Sequence, residues 1–140
     1  MLLLLFIKIW IDVCNIESPS DYKQGVDDVG SYFSNFAIKQ GWDVEIFDLP
    51  IAGNCVCITM NPDSKNKPIA LSGHIDTVHA VGLFGSPAVK LENGNIYGPG
   101  VADCKGSVGA ALLTINKIKK IGFTDRPIKL LLQSDEETNN

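Results

Sequence analysis

The stretch Pro68–Val78, PIALSGHIDTV, decides the reading of the fold. Its first half, Pro68-Ile-Ala-Leu-Ser-Gly73, is a short apolar run of the kind that forms a buried parallel strand. A histidine and an aspartate follow it at once. In open α/β sheets, ligands bind outside the carboxyl ends of the strands, so His74 and Asp76 stand where such a sheet keeps its chemistry. Downstream, Val89 and Leu91 lead into Asn93-Gly94, and Ile96 and Tyr97 lead out, a hairpin signature. Gly98-Pro99-Gly100 turns the chain. A helix is predicted over about residues 106–121, with Ala111, Ile115 and Ile118 on one face and Gly122 as its stop. Residues 128–133, IKLLLQ, read as a second buried strand. Upstream, helices are predicted over about residues 2–15 and 21–40. The second shows Val26, Val29, Phe33, Phe36 and Ala37 at helical spacing and Gly41 at its end. Residues 43–47 and 55–60 alternate like strands, and Asn61-Pro62-Asp63-Ser64 is a turn. Strands alternating with helices predict an α/β class, a three-layer sheet with flanking helices.

The bulk composition fits one domain of that kind. The chain has 140 residues, 45% of them hydrophobic, and a net charge of -4. No run of Lys and Arg is long enough for a nucleic-acid patch. Lys117, Lys119 and Lys120 fall late in a predicted helix, where the helix dipole favours cations. The apolar start, residues 1–7, lacks the basic region and cleavage site of a signal peptide and is too short to span a membrane. It reads as a buried first helix. The four cysteines, Cys14, Cys55, Cys57 and Cys104, form no C-x-x-C pair. A soft-metal site at Cys55 and Cys57, which share a strand face, is the sharper alternative to reduced thiols in a cytoplasmic enzyme. No nucleic-acid or membrane partner is expected.

Three clusters carry chemistry. The first is Gly73-His74-Ile75-Asp76-Thr77-Val78. A neutral imidazole is a good ligand for zinc, and a carboxylate two residues on can hold its other nitrogen and fix the tautomer. Taken alone, a histidine satisfied by backbone at a strand end is the more ordinary reading. The second is Gly98-Pro-Gly-Val-Ala-Asp103-Cys-Lys-Gly106, just before a helix. Asp103 has two oxygens with which to bridge two cations, or it is simply an N-cap. The spacing from Gly98 to Lys105 does not fit a phosphate-binding loop. The third is Ser134-Asp135-Glu136-Glu137 at the end of an apolar strand. Adjacent like charges cost energy unless a cation or proton offsets them, unless the segment is a solvated loop. Together the clusters offer one histidine and several carboxylates, the donor mix of a hydrolytic two-metal site.

In this order the three motifs resemble the zinc metallopeptidases that include glutamate carboxypeptidase, acetylornithine deacetylase, succinyl-diaminopimelate desuccinylase and aminoacylase. The resemblance covers nearly the whole chain. It implies a zinc-exopeptidase-like catalytic domain and amide hydrolysis next to a free carboxylate, the carboxypeptidase-type reaction. It also implies metal ligation by His74, Asp103 and Glu137, with Asp103 bridging. Asp76 becomes the residue that orients the site and Glu136 the general base, these two being the catalytic pair. The implied cofactor is Zn2+, two per complete site, with Co2+ or Mn2+ as possible substitutes. The implied substrate is a small peptide or an N-acyl amino acid. A cis peptide at Asp103-Cys104 is expected on the same grounds. Cys104 departs from the pattern, since many members carry an acidic residue there.

Length is the larger departure. The family supplies a further acidic ligand, a distant histidine and a lid or dimerisation domain, none of which these residues contain. Residues 1–140 are therefore expected to be the N-terminal part of the catalytic domain, incomplete at the C-terminus, of a longer enzyme that forms a homodimer. His79, the other histidine, is expected to be exposed. The rival readings are an N-acyl-amino-acid deacylase, and a non-catalytic fragment or binding module that keeps the fold.

Overall fold

The structure is a computed structural model in which residues 2–138 are described. Met1, at the start of the apolar run, and Asn139-Asn140 lie outside the described residues. In chain order the elements are α1 (Leu2–Asn15), α2 (Lys23–Lys39), β1 (Asp43–Phe47), β2 (Cys55–Met60), β3 (Ile69–His74), β4 (Lys90–Glu92), β5 (Asn95–Tyr97), α3 (Lys105–Lys120) and β6 (Ile128–Gln133). A single 3-10 turn, Glu136–Thr138, follows β6. The predicted α/β architecture with flanking helices is present, and element boundaries agree with the sequence reading to within two residues.

The main sheet has the order β1-β2-β6-β3. β1 and β2 are antiparallel, and so are β2 and β6, whereas β3 runs parallel to β6. Pairing sets Val56 beside Leu132, Ile58 beside Leu130 and Met60 beside Ile128. Side chains alternate across a strand, so this set shares one face. It packs against Val26, Val29 and Phe33 of α2 and Val108, Leu112 and Ile115 of α3, with Ile9 and Val13 of α1 joining them in one core. Fully burying each such side chain contributes about 1.5–3 kcal/mol. All three helices therefore pack on one side of the sheet, so the described residues form two layers where three were expected. On the other face β1, β2 and β6 present Glu45, Cys57 and Leu131, which the register brings into one row.

Three expectations about burial need correction. The run 69–73 is parallel as predicted, but β3 is the edge strand in these residues, with Ile69 44% and Leu71 37% exposed. β6 is buried on one face only, since Leu131 is exposed. α1 buries only Ile9, Val13 and Cys14, and its leading leucines face outward, Leu4 being 71% exposed. Each error has one cause: periodicity reports which face is apolar, not what lies against it. On α3 the expected face holds, with Ile115 in the core and Ala111 and Ile118 packed at its margin beside Val108 and Leu112.

The punctuation was read correctly. Asn93 and Gly94 both have positive φ, 50° and 77°, as a tight two-residue hairpin turn requires. Gly41 and Gly122 follow α2 and α3 with positive φ. All four cysteines are free thiols. Cys55 and Cys57 belong to none of the candidate metal clusters among the described residues.

Candidate metal centre

Topology brings the three clusters together. β3 and β6 are parallel and in register to their last residues, His74 beside Gln133. Both therefore release their next residues, 75–78 and 134–137, at the same edge of the sheet. α3 delivers the second cluster. It packs on β3 above Gly73, where an added Cβ would stand 2.8 Å from Val108 Cγ2 and 3.4 Å from Cys104 Sγ. The missing side chain lets the start of α3 approach β3 closely, and Asp103, just ahead of that helix, arrives beside His74. Asp103 is not the N-cap; Cys104 occupies that position and makes no side-chain cap. The Asp103-Cys104 peptide is cis.

His74 is buried with its two ring nitrogens turned to different partners. Nδ1 lies 3.2 Å from the Asp76 carbonyl oxygen and 3.3 Å from Asp76 Oδ1. Nε2 lies 2.8 Å from Asp103 Oδ1 and 3.8 Å from Glu136 Oε2. The ligating atoms of His74, Glu136 and Glu137 lie within 4.8 Å of one another, and so do those of His74, Asp103 and Cys104. The five residues singled out in the sequence, His74, Asp76, Asp103, Glu136 and Glu137, are thus brought into one place.

Asp76 is the hub of the arrangement. Its carboxylate is wholly buried. Oδ2 accepts from Ser20 Oγ at 2.6 Å and from the Glu137 N–H at 3.1 Å, and Oδ1 accepts from the Glu136 N–H at 3.3 Å. One buried anion therefore orients the imidazole and the Glu136-Glu137 backbone together. Asp103 by contrast is open to solvent, with 77% of its side chain exposed.

Charge accounts for two shifts. Burial pushes the His74 pKa down, but the hydrogen bond that the imidazole donates to Asp103 and the charge of Asp76 outweigh it, and the net shift is upward. The Glu137 carboxyl is raised by burial, opposed by the charge of His74 and reinforced by Asp103, Asp76 and Glu136. Carboxylates crowded round one imidazole resist ionising together unless a cation joins them.

A cleft of about 560 Å³ opens from this edge. Asp103 and Glu137 line it together with Val78, Phe84, Ile96 and Tyr97. His79, expected to be exposed, is half-buried, because its ring packs edge-on against Phe84 at 5.0 Å.

Three residues at the site were missed in the sequence. Ser20 donates to Asp76, yet it lies 56 residues away in sequence and outside all three clusters. Lys105 is fully buried and donates from Nζ to the Ile16 carbonyl at 2.8 Å and to Ser18 Oγ at 3.0 Å. Its pKa is lowered by burial to about 8. The available signal was a lysine between the Gly98–Gly100 turn and α3, whose neighbour Asp103 faces His74 and leaves the ammonium to uncharged partners. The Cys104 thiol donates to the His74 carbonyl at 3.3 Å and accepts from the His74 N–H at 3.1 Å, so it braces the histidine's backbone.

Comparison with known proteins bears on the fold and the family of the chain. Carboxypeptidase G2 of Pseudomonas sp. (strain RS-16) is 29% identical over 135 residues, covering 94% of this chain and 32% of that protein. Succinyl-diaminopimelate desuccinylase of Buchnera aphidicola subsp. Cinara cedri (strain Cc) is 39% identical over 80 residues, covering 54% of this chain and 21% of that protein. The chain thus spans a third or less of the length of these curated relatives. Among solved structures, human carnosine dipeptidase 1 superposes with a TM-score of 0.80 at 20% identity, covering 96% of this chain and 32% of that one, which shows a shared fold. The family model described as Peptidase family M20/M25/M40 matches residues 70–140, the half of the chain that holds all three clusters. With its fold, its clustered donors and this match in agreement, the chain belongs to peptidase family M20/M25/M40.

Proposed function

We propose that this chain carries the front part of a two-metal hydrolase that cleaves an amide bond next to a free carboxylate, a carboxypeptidase-type exopeptidase. The observation that supports it most is the meeting of His74, Asp103, Glu136 and Glu137 at the carboxyl ends of β3 and β6. The similarity to a carboxypeptidase over 94% of the chain supports the reaction class. Residues 1–140 are read as the N-terminal part of the catalytic domain, with further ligands and the lid or dimerisation domain supplied by a longer protein.

The donor set suits zinc. With Nδ1 facing Asp76, the imidazole can keep its proton there and offer Nε2 toward Asp103. Nitrogen and carboxylate oxygen are borderline-to-hard donors, right for zinc and tolerant of cobalt or manganese. His74 and Glu137 would each hold one metal, and Asp103 would bridge both. Bound metal ions would supply Lewis acidity and lower the pKa of water.

The chain's own residues do the rest. Glu136 is half-exposed and stands 3.8 Å from His74 Nε2, beside the metal ligands and free to exchange a proton. It takes the proton of the attacking water and returns it to the leaving amine. Asp76 fixes the tautomer of His74 and the turn that carries Glu136. The cleft beyond Asp103 and Glu137 takes the substrate. A deacylase acting on N-acyl amino acids is the second reading, favoured by the 39% identity to a desuccinylase. The test is turnover by the full-length, zinc-loaded protein on three series: dipeptides with a free carboxylate, the same dipeptides amidated, and N-acetyl or N-succinyl amino acids. Cleavage of the first series alone is expected. Cleavage of only the third transfers the function to the deacylase reading, and cleavage of none refutes both.

A further inference from the structure

One segment at the centre lies outside all three clusters and outside residues 70–140. Ser18-Pro19-Ser20 runs beside the first cluster: Pro19 forms a parallel bridge with Thr77, Thr77 N–H donates to the Ser18 carbonyl at 2.9 Å, and Ser20 N–H donates to the Thr77 carbonyl at 3.2 Å. Ser18 Oγ donates to the Ile75 carbonyl at 2.8 Å and accepts from Lys105 Nζ. The strap is therefore stitched to the first cluster through backbone and to the second through a buried ammonium. At its end Ser20 Oγ reaches the Asp76 carboxylate.

We propose that Ser20, held in place by the Ser18–Lys105 lock, is a positioning residue for the metal centre. The proposal rests on the metal-centre reading above. A carboxylate's terminal torsion is broad and roughly two-fold, so Asp76 does not choose its own rotation. Its contacts to His74 Nδ1 and to the Glu136 and Glu137 N–H groups are 3.1–3.3 Å long. The Ser20 contact is the short one, at 2.6 Å, within the range of a charge-assisted O–H···O bond. Ser20 therefore fixes the plane of the carboxylate, and the carboxylate fixes the imidazole on one side and the Glu136-Glu137 turn on the other. Lys105 stands two residues after Asp103, so the bond that anchors the strap also anchors the approach of the second cluster. Partners of this kind typically tune metal affinity by 10–100-fold.

The experiment measures zinc affinity by chelator competition on the full-length protein, alongside thermal unfolding of its metal-free form. Ser20→Ala is expected to weaken zinc binding by about 10–100-fold, and Ser20→Thr, which keeps the hydroxyl, to restore it. Ser18→Ala, which breaks the lock without opening the core, is expected to weaken zinc as well. Zinc affinity unchanged in Ser20→Ala, with only the metal-free melting point lowered, reduces Ser20 to a structural part and overturns the proposal. Wild-type protein that binds no zinc overturns the metal-centre reading itself, and the proposal with it.

Discussion

Asp76→Asn removes a charge from the hub without changing its shape, and the structure fixes what must follow. The amide nitrogen can replace either oxygen. At Oδ1 it would face the Glu136 N–H and His74 Nδ1, two contacts at 3.3 Å. The imidazole would then either give its Nδ1 proton wholly to the Asp76 carbonyl at 3.2 Å, against a facing amide donor, or accept on Nδ1 and carry its proton on Nε2, the nitrogen facing Asp103. At Oδ2 it would face Ser20 Oγ, which can turn and accept, and the Glu137 N–H, which cannot. The second orientation costs less. It strands one backbone donor beside a buried group, a loss of about 1–3 kcal/mol. It also leaves His74 without the nearby charge that helps raise its pKa. Urea unfolding of the metal-free protein should show that loss as a lowered midpoint at constant slope. Chelator competition should show zinc affinity reduced by about 10–100-fold. A variant with wild-type stability and wild-type zinc affinity would refute the reasoning that Asp76 organises the site.

Further outcomes follow from the same geometry. Glu136→Gln should cut turnover of the full-length enzyme by about 10²-fold or more with metal content near normal, while Glu137→Gln should lower metal occupancy; the opposite pattern, read by kcat and bound metal, exchanges the two roles. Gly73→Ala should cost about 1–3 kcal/mol by overpacking, because its Cβ would press on Val108 Cγ2 at 2.8 Å and push α3 away from β3; denaturant midpoints and zinc affinity should fall together, and loss of stability alone would separate helix packing from the site. In the metal-free protein the raised His74 pKa means that the folded state binds its proton more tightly than the unfolded state. That stabilisation is complete below the ordinary imidazole value of 6.5 and is lost as pH rises through the raised one. His74 and His79 are the only histidines of residues 1–140, so their imidazole resonances, assigned by a His79→Gln variant, report the titration, and a His74 midpoint below 6.5 contradicts the pairing with Asp103 and Asp76.

What the sequence disclosed and what it hid have separate physical causes. The strands, helices and turns were legible because period and punctuation are local: Asn93-Gly94 needs no distant partner to make a turn. The gathering of the five candidate residues was legible because each follows a strand or precedes a helix, and parallel pairing of β3 with β6 then brings the ends together. Burial was misjudged where it depends on neighbours, as at Ile69 and Leu71 on the edge strand and at Leu4 on α1. Ser20 and Lys105 were hidden for the same reason. Ser20 lies 56 residues from Asp76, and Lys105 spends its ammonium on a carbonyl and a hydroxyl, partners that leave no charge pattern in the sequence.

The most direct test of the metal centre is anomalous diffraction at the zinc edge from crystals of the full-length protein loaded with zinc. The account predicts two peaks about 3.5–4 Å apart at the carboxyl ends of β3 and β6, one touching His74 Nε2, the other touching Glu137, and Asp103 between them. A single peak that Asp103 does not touch, or zinc bound anywhere away from His74, would contradict it.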